Sequence, residues 1–369
     1  MNKLDLDYQN LLKDILENGV KKETRNGGTT SVFGRQIRHK MNEGFPILTT
    51  KKIPFKLVAT ELIWFLRGDT NIKYLLDNNC HIWDGDAYQA YCNTYPDVEK
   101  TFQYEGSDIE VRKMTQEEFV ERIKTDDEFA KKFGDLGKIY GVQWRNWKFT
   151  DKFTNGEQIA YVNGSIDQIA NLINDITTNT DSRRLIVSAW NPADLDSCVL
   201  PPCHYGFQVY TRELSLEERL KLWDNKFGFT NEEQKNQFDP NVHLDTHGTP
   251  TRAISLIFNM RSNDVPLGLP FNIASYGLLL EIIGKMVNMV PDELIANLGD
   301  AHIYLNQIDG VKEQITKEPF PLPTLKHMKT EEFYKSLSEN VSLFGHLDPK
   351  DFQIEGYQSH PTIKMPLSN

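Results

Sequence analysis

Residues 252–264, RAISLIFNMRSND, constrain the fold more than any other stretch. Ile254, Leu256, Phe258 and Met260 alternate with Ser255, Ile257, Asn259 and Arg261, and successive side chains on an extended chain point to opposite faces. RRLIVSAW and HYGFQVY supply further strands. The longest apolar run, FNIASYGLLLEIIGKMVNMV, is interrupted by Glu281 and Lys285, so it reads as a buried helix from about Ala274 to Val287 that packs on the sheet. It is not apolar enough to cross a bilayer.

Two more helices are written in the N-terminal part. Tyr8, Leu11, Leu12, Ile15 and Leu16 recur at helical spacing, with Asp7 as N-cap and Gly19 as stop. FKLVATELIWFLRGDTN reads as a helix with Glu61 set among apolar residues, and TRNGGTTSVFG as a turn feeding a strand. Two segments depart from this pattern. At about 86–133 and 213–250 the chain turns polar, each time with a capping box, at Thr115–Glu118 and Ser215–Glu218. Both read as peripheral insertions, the first a small helical one. The expected architecture is therefore a single α+β domain spanning residues 1–369, a mostly antiparallel twisted sheet covered by helices, with two peripheral insertions.

Composition narrows the function. Of the 369 residues, 39% are hydrophobic and 25% charged, ordinary values for a globular protein. A formal charge of −11 disfavours a general nucleic-acid surface yet permits small anionic ligands in a locally basic pocket. Cys80, Cys92, Cys198 and Cys203 show neither CxxC pairing nor metal-ligand spacing, so free thiols and no metal are expected. The acidic, amphipathic N-terminus resembles neither a secretory signal nor a transit peptide, and a cytoplasmic location is expected.

Five places gather chemistry. VLPPCHYGF fixes the backbone before Cys203 with Pro201 and Pro202 and follows it with His204; this thiol could be a small buried hydrophobe or a nucleophile activated by nearby arginines. DSRRLIVSAWN carries Arg183 and Arg184, either a solvated pair at a strand start or a phosphate fork that converges only if the chain bends. In MRSNDVPLGLPFNIASYG, Arg261, Ser262, Asn263, Asp264 and Asn272 cluster at the end of a strand, and an amide at 272 could read a lactam edge. Glu61 is costly on an apolar helix face unless it bonds an arginine or handles protons. His302 and Tyr304 share one face of a strand, as ligands or as satisfied core groups.

Together LPPCHYGFQVY, DSRRLIVSAWN, RSNDVPLGLPFNIASY and GDAHIY resemble the thymidylate synthase family, as do GFPILTTKK, ELIWFLRGDTN, IYGVQWRNW and the closing FQIEGYQSHPTIKMP. The resemblance runs in order along nearly the whole chain except the two insertions. It implies methylation of dUMP at C5 by 5,10-methylenetetrahydrofolate, which is both carbon donor and reductant, giving dTMP and dihydrofolate. Cys203 would add to C6 of the uracil, with Glu61, bound water and Tyr140 handling protons. Arg25, Arg261 and Ser262 would hold the nucleotide phosphate, and Arg183 and Arg184 would reach it from the partner subunit of a homodimer. Arg261 would also lower the thiol pKa. Asn272 would recognise O4 and N3, and His302 and Tyr304 the ribose 3′-hydroxyl. Asp264 would meet the pterin, Trp83, Leu267, Gly268 and Phe271 the rest of the folate, and Lys51 its glutamate tail. His204 belongs with the catalytic set.

Three departures stand out against that resemblance. Asp86 replaces a tryptophan, Asn369 a usually apolar C-terminus, and TRNGGTT the commoner DRTGTGT, with Arg25 kept. The first two lie near where water must be excluded, which raises a dUMP hydroxymethylase as an alternative product outcome. A non-catalytic nucleotide binder is a further alternative, against which the intact Cys203, Glu61, Tyr140, Arg261 and Asp264 argue.

Overall fold

The computed structural model describes residues 2–24, 26–95, 100–104, 107–155, 158–227 and 239–368. A six-stranded sheet runs in the order Val20–Thr24, Gly27–Lys40, Val290–Tyr304, Arg252–Asp264, His204–Glu213, Ile186–Ser188. Every neighbouring pair is antiparallel except Arg252–Asp264 beside Val290–Tyr304, which is parallel. A parallel pair needs a crossover, and the helix Gly268–Met286 provides it.

That helix is buried along nearly its whole length, including Ile273, Tyr276, Leu279, Leu280 and Ile283. It begins at Gly268 and ends at Met286, six residues earlier and one residue earlier than the apolar pattern suggests. The first turn, Gly268–Asn272, carries polar and turn-forming residues, which hide the helical period. Phe258 on the sheet stacks on Tyr276 of the helix, with ring centroids 4.3 Å apart and planes 5° from parallel. The helix Phe55–Leu66 buries Val58, Leu62, Trp64 and Phe65 in the same core.

The first helix spans Lys3–Asn18 and is capped by Asn2, which accepts from the Asp5 amide at 3.1 Å. Asp7 is therefore interior, not the cap. Helix formation starts early because Asp5 is fully buried and accepts from the backbone amides and hydroxyls of Thr49 and Thr50. The RRLIVSAW strand shortens to Ile186–Ser188, and residues 181–184 form turns.

Both capping boxes form: Thr115 Oγ1 accepts from Glu118 N at 3.2 Å and Ser215 Oγ from Glu218 N at 3.2 Å, each with the reciprocal bond. The first polar segment is not purely helical. Besides helices Asp84–Thr94, Gln116–Thr125 and Asp127–Phe133, it holds a hairpin of Lys100–Tyr104 and Ser107–Val111. Tyr88, Tyr91, Phe119, Phe129 and Phe133 give it a small aromatic core. The second contains Leu216–Phe227 and Pro240–Thr246. A further hairpin, Trp147–Asn155 with Gln158–Ile166, is not anticipated, because charged residues interrupt its alternation. Among the described residues no helix is long and apolar enough to cross a membrane.

Candidate active site

The site forms where the sheet's long strands end. Pro201 and Pro202 deliver the chain to Cys203, one residue before the strand His204–Glu213. The approach is held by Val199 N donating to Leu136 O at 3.0 Å. Gly137 permits this close contact, since a β-carbon there would run into the Ser197 carbonyl. Cys203 is then clamped on both sides: its amide donates to Tyr140 Oη at 2.8 Å, and its carbonyl accepts from Arg261 N at 2.9 Å. The Arg261 guanidinium donates to the carbonyls of Pro202 and Pro201, both at 2.9 Å.

The other thiols are less suited to attack. Burial pushes Cys80 up to about 12, with the nearby Glu61 carboxylate adding to it, and burial also raises Cys198. Cys92 is buried, whereas Cys203 is only half-buried at the cleft. None of the four is in a disulfide.

Behind Cys203 lies an aromatic stack. The Tyr140 ring lies 4.1 Å from the His204 imidazole at 21°, and His204 Nδ1 pairs with Tyr276 Oη at 2.8 Å. Burial drives His204 down to about 3, so the imidazole is neutral at any working pH. Its ring stacks behind Cys203 against Tyr140. Burial raises Tyr140 well above its ordinary value, so its hydroxyl stays protonated.

Among the described residues no arginine pairs with Glu61. Its Oε1 accepts from the Trp83 indole N–H at 2.8 Å, and burial lifts the carboxyl to about 7 despite that bond. A carboxyl titrating near neutrality can both take and give a proton. The Trp83 ring lies 6.3 Å from that of Tyr140.

The parallel strand pair places Asp264 opposite His302. Asp264 Oδ1 accepts from Leu267 N at 3.0 Å and Oδ2 from Gln307 Nε2 at 3.0 Å. Burial raises this carboxyl, opposed by Gln307, the Leu267 amide, His302 and Lys51. Lys51 is itself buried, donates to the Pro266 carbonyl, and is pushed down to about 8 by desolvation. His302 Nδ1 pairs with Asp300 Oδ1 at 3.1 Å, and its ring meets that of Tyr304 edge-on at 5.2 Å.

Gly268 leaves room at this edge: an added β-carbon would have Asn272 Nδ2 as its nearest contact, at 3.9 Å. Asn272 is half-buried with only a long 3.7 Å contact from Nδ2 to Met260 Sδ, which leaves its amide able to turn to a base. Ser262 and Phe271 are half-buried at the same rim.

Arg183 and Arg184 are not brought to this site. Both are exposed, and antiparallel pairing sets Ile186 opposite Gln208. That places them beside the far part of the strand, about 25 Å from Cys203 at ~3.3 Å per residue. Arg25 and Asn369 lie outside the described residues. Asp86 falls in the helix Asp84–Thr94. Tyr276 and Gln307 escape the sequence reading; the latter lies three residues after Tyr304, in GDAHIYLNQ.

The Glu61 environment has a stability cost. Its ordinary value is 4.5 and its folded value about 7, so the native state holds this proton more tightly than the unfolded chain. Stability from this group therefore falls as pH rises from about 4.5 to 7. Glu61→Gln keeps an acceptor for Trp83 and removes the buried charge. It should stabilise the ligand-free protein at pH 8 by up to about 3 kcal/mol, a gain that disappears towards pH 4.5. Urea denaturation at the two pH values measures it; equal stability at pH 8 would mean the carboxylate is not strained.

The thymidylate synthase family profile matches residues 6–369. A thymidylate synthase of Listeria monocytogenes serotype 4a is 40% identical over 376 aligned positions, covering 98% of this chain and 99% of the relative. One from Listeria innocua serovar 6a is 39% identical over the same shares. The chain therefore belongs to the thymidylate synthase family.

Proposed function

We infer that the protein performs its family's reaction with the residues at the ends of the long strands. It is a methyltransferase that converts dUMP to dTMP. The observation that carries the division of labour is the clamp on Cys203, a half-buried thiol whose backbone is fixed from both sides. We assign Cys203 Sγ as the nucleophile that bonds C6 of the uracil, moving the C5–C6 electron pair towards C5 and O4. 5,10-Methylenetetrahydrofolate, the family's cosubstrate, supplies the one-carbon unit and the hydride. Glu61 takes up and returns the protons that the base exchanges, a role suited to a carboxyl near 7. Tyr140 holds the Cys203 amide, and neutral His204 holds Tyr140.

Recognition follows from donors and acceptors. Asn272 offers both to the O4–N3 edge of uracil. Arg261 and Ser262, with Arg25, hold the phosphate, and His302 and Tyr304 hold the ribose 3′-hydroxyl. Asp264 meets the pterin, Trp83, Leu267, Gly268 and Phe271 line the folate surface, and Lys51 stands behind Pro266 on that side. The hydroxymethylase outcome is not favoured, since the relatives matched over nearly the whole chain bear the synthase name.

A homodimer accounts for the sheet's open face. Phe33, Ile186 and Tyr210 are exposed, at 81%, 55% and 66%, and Ile186, Gln208, Ile257 and Ile295 stand in register across four strands. Exposed Ile186 and Tyr210, on the same sheet face as Ile257 and Ile295, call for a partner. Arg184 lies two residues before Ile186 at the border of that face. It and Arg183 can thus serve the partner's phosphate site, which their distance from Cys203 of their own chain prevents them from serving here.

Cys203→Ser should lower turnover roughly 10³-fold or more while dUMP affinity, by calorimetry, stays within a few-fold; ordinary turnover would remove the nucleophile assignment. Asn272→Asp should shift the dUMP/dCMP preference by roughly 10²-fold towards dCMP, with unchanged selectivity meaning that another group reads the base. Refolding a mixture of Cys203→Ser with the Arg183→Ala/Arg184→Ala double variant should restore about a quarter of parental activity, because half the dimers are hybrids with one complete site. No recovery would assign the arginines to their own chain.

A further inference from the structure

Gln307 ends the short 3-10 turn Leu305–Gln307, immediately after the strand that carries His302 and Tyr304, and is 1% exposed. Every hydrogen-bonding group of its amide is used. Nε2 donates one hydrogen to Asp264 Oδ2 at 3.0 Å and the other to Pro366 O at 3.1 Å, while Oε1 accepts from Tyr304 N at 3.2 Å. The Pro366 carbonyl belongs to the C-terminal strap. Further on, the strap is held by Asn306 Nδ2 donating to Ser368 Oγ at 3.2 Å, Ser368 Oγ donating to Asn306 Oδ1 at 3.5 Å and Asn26 Nδ2 donating to Ser368 O at 3.3 Å. Before it, Ile363 is buried and Met365 packs directly over Gly310.

We infer that Gln307 is a positioning residue that locks the C-terminal strap to the Asp264 carboxylate, so that the folate side of the site is complete only when the strap is seated. This rests on the reading of Asp264 as the pterin ligand. Chemistry selects an amide for the task. One nitrogen must give two hydrogens, to a carboxylate and to a backbone carbonyl, while an oxygen on the same group accepts from the strand end. A glutamate would accept from Tyr304 N but place a second carboxylate against Asp264. A methionine would fill the volume and donate nothing. Because, among the described residues, Gln307 is what bonds the strap to Asp264, seating the strap and orienting the carboxylate become one event. The same event closes the site against water, which otherwise competes with hydride for the activated carbon.

The test is a cycle of Gln307→Met, a deletion of residues 366–369, and the two combined, with folate KM, dUMP affinity and dihydrofolate formed per dUMP consumed as readouts. Gln307→Met should raise the folate KM at least about tenfold, leave dUMP affinity within about twofold, and drop the dihydrofolate yield below one per dUMP. The deletion should do the same, and the combined variant should be no worse than the deletion alone, as expected when two changes remove one shared interaction. Additive losses, a folate KM within twofold of the parent, or equal weakening of dUMP and folate would overturn the inference. If Gln307→Met fails to fold, Gln307→Leu, also neutral and without a donor, carries the same comparison. Asp264→Ala separates the two levels: an unchanged folate KM there sinks the pterin assignment, whereas a raised one beside a silent Gln307 variant sinks only the role of Gln307.

Discussion

The parallel pairing of Arg252–Asp264 with Val290–Tyr304 is the constraint from which the site follows. In a parallel pair both C-terminal ends reach the same edge of the sheet, so Asp264 stands opposite His302 and the chain after each strand turns over one cleft. An antiparallel pairing would send the two clusters to opposite edges. The connection this demands is the helix Gly268–Met286, whose first turn carries Gly268, Phe271 and Asn272 back over the same edge. Strand His204–Glu213 then needs only to begin beside Met260 for Cys203 to fall next to Arg261.

Burial then tunes the groups that this frame collects. The same desolvation that lifts Glu61 to about 7 drives His204 to about 3 and Lys51 to about 8. Removing water disfavours whichever form is charged, so one acid is poised for proton exchange and one imidazole is silenced. Indole, phenol and amide partners orient these groups: Trp83 for Glu61, Tyr276 for His204 and Gln307 for Asp264. Glu61 and Asp264 each accept from a neutral donor, which fixes their geometry without the strong depression that an arginine pair would impose.

Much of this is legible in the residues. The alternation over 252–264 marks its strand to the residue, and both capping boxes form where Thr115 and Ser215 announce them. What the periodicity hides are elements whose first turn is polar, such as Gly268–Asn272, and hairpins whose alternation is broken by charge, such as Trp147–Ile166. Asn2 is missed as a cap because the bonds from Thr49 and Thr50 to Asp5 that hold the helix start come from more than forty residues away. Within the site, the clustered motifs around Cys203, Asp264 and His302 are legible, while Tyr276 and Gln307 are not, since each acts through a side chain distant in sequence.

The sequence by itself determines the family, the single α+β domain and the short list of reactive side chains, because those depend on residue type, order and local period. Only the tertiary structure decides that Glu61 bonds an indole and not an arginine, that His204 is neutral, that Arg183 and Arg184 lie away from their own chain's Cys203, and that Gln307 joins Asp264 to the strap. These depend on which groups are brought together and which are deprived of water, and both are properties of the packed chain.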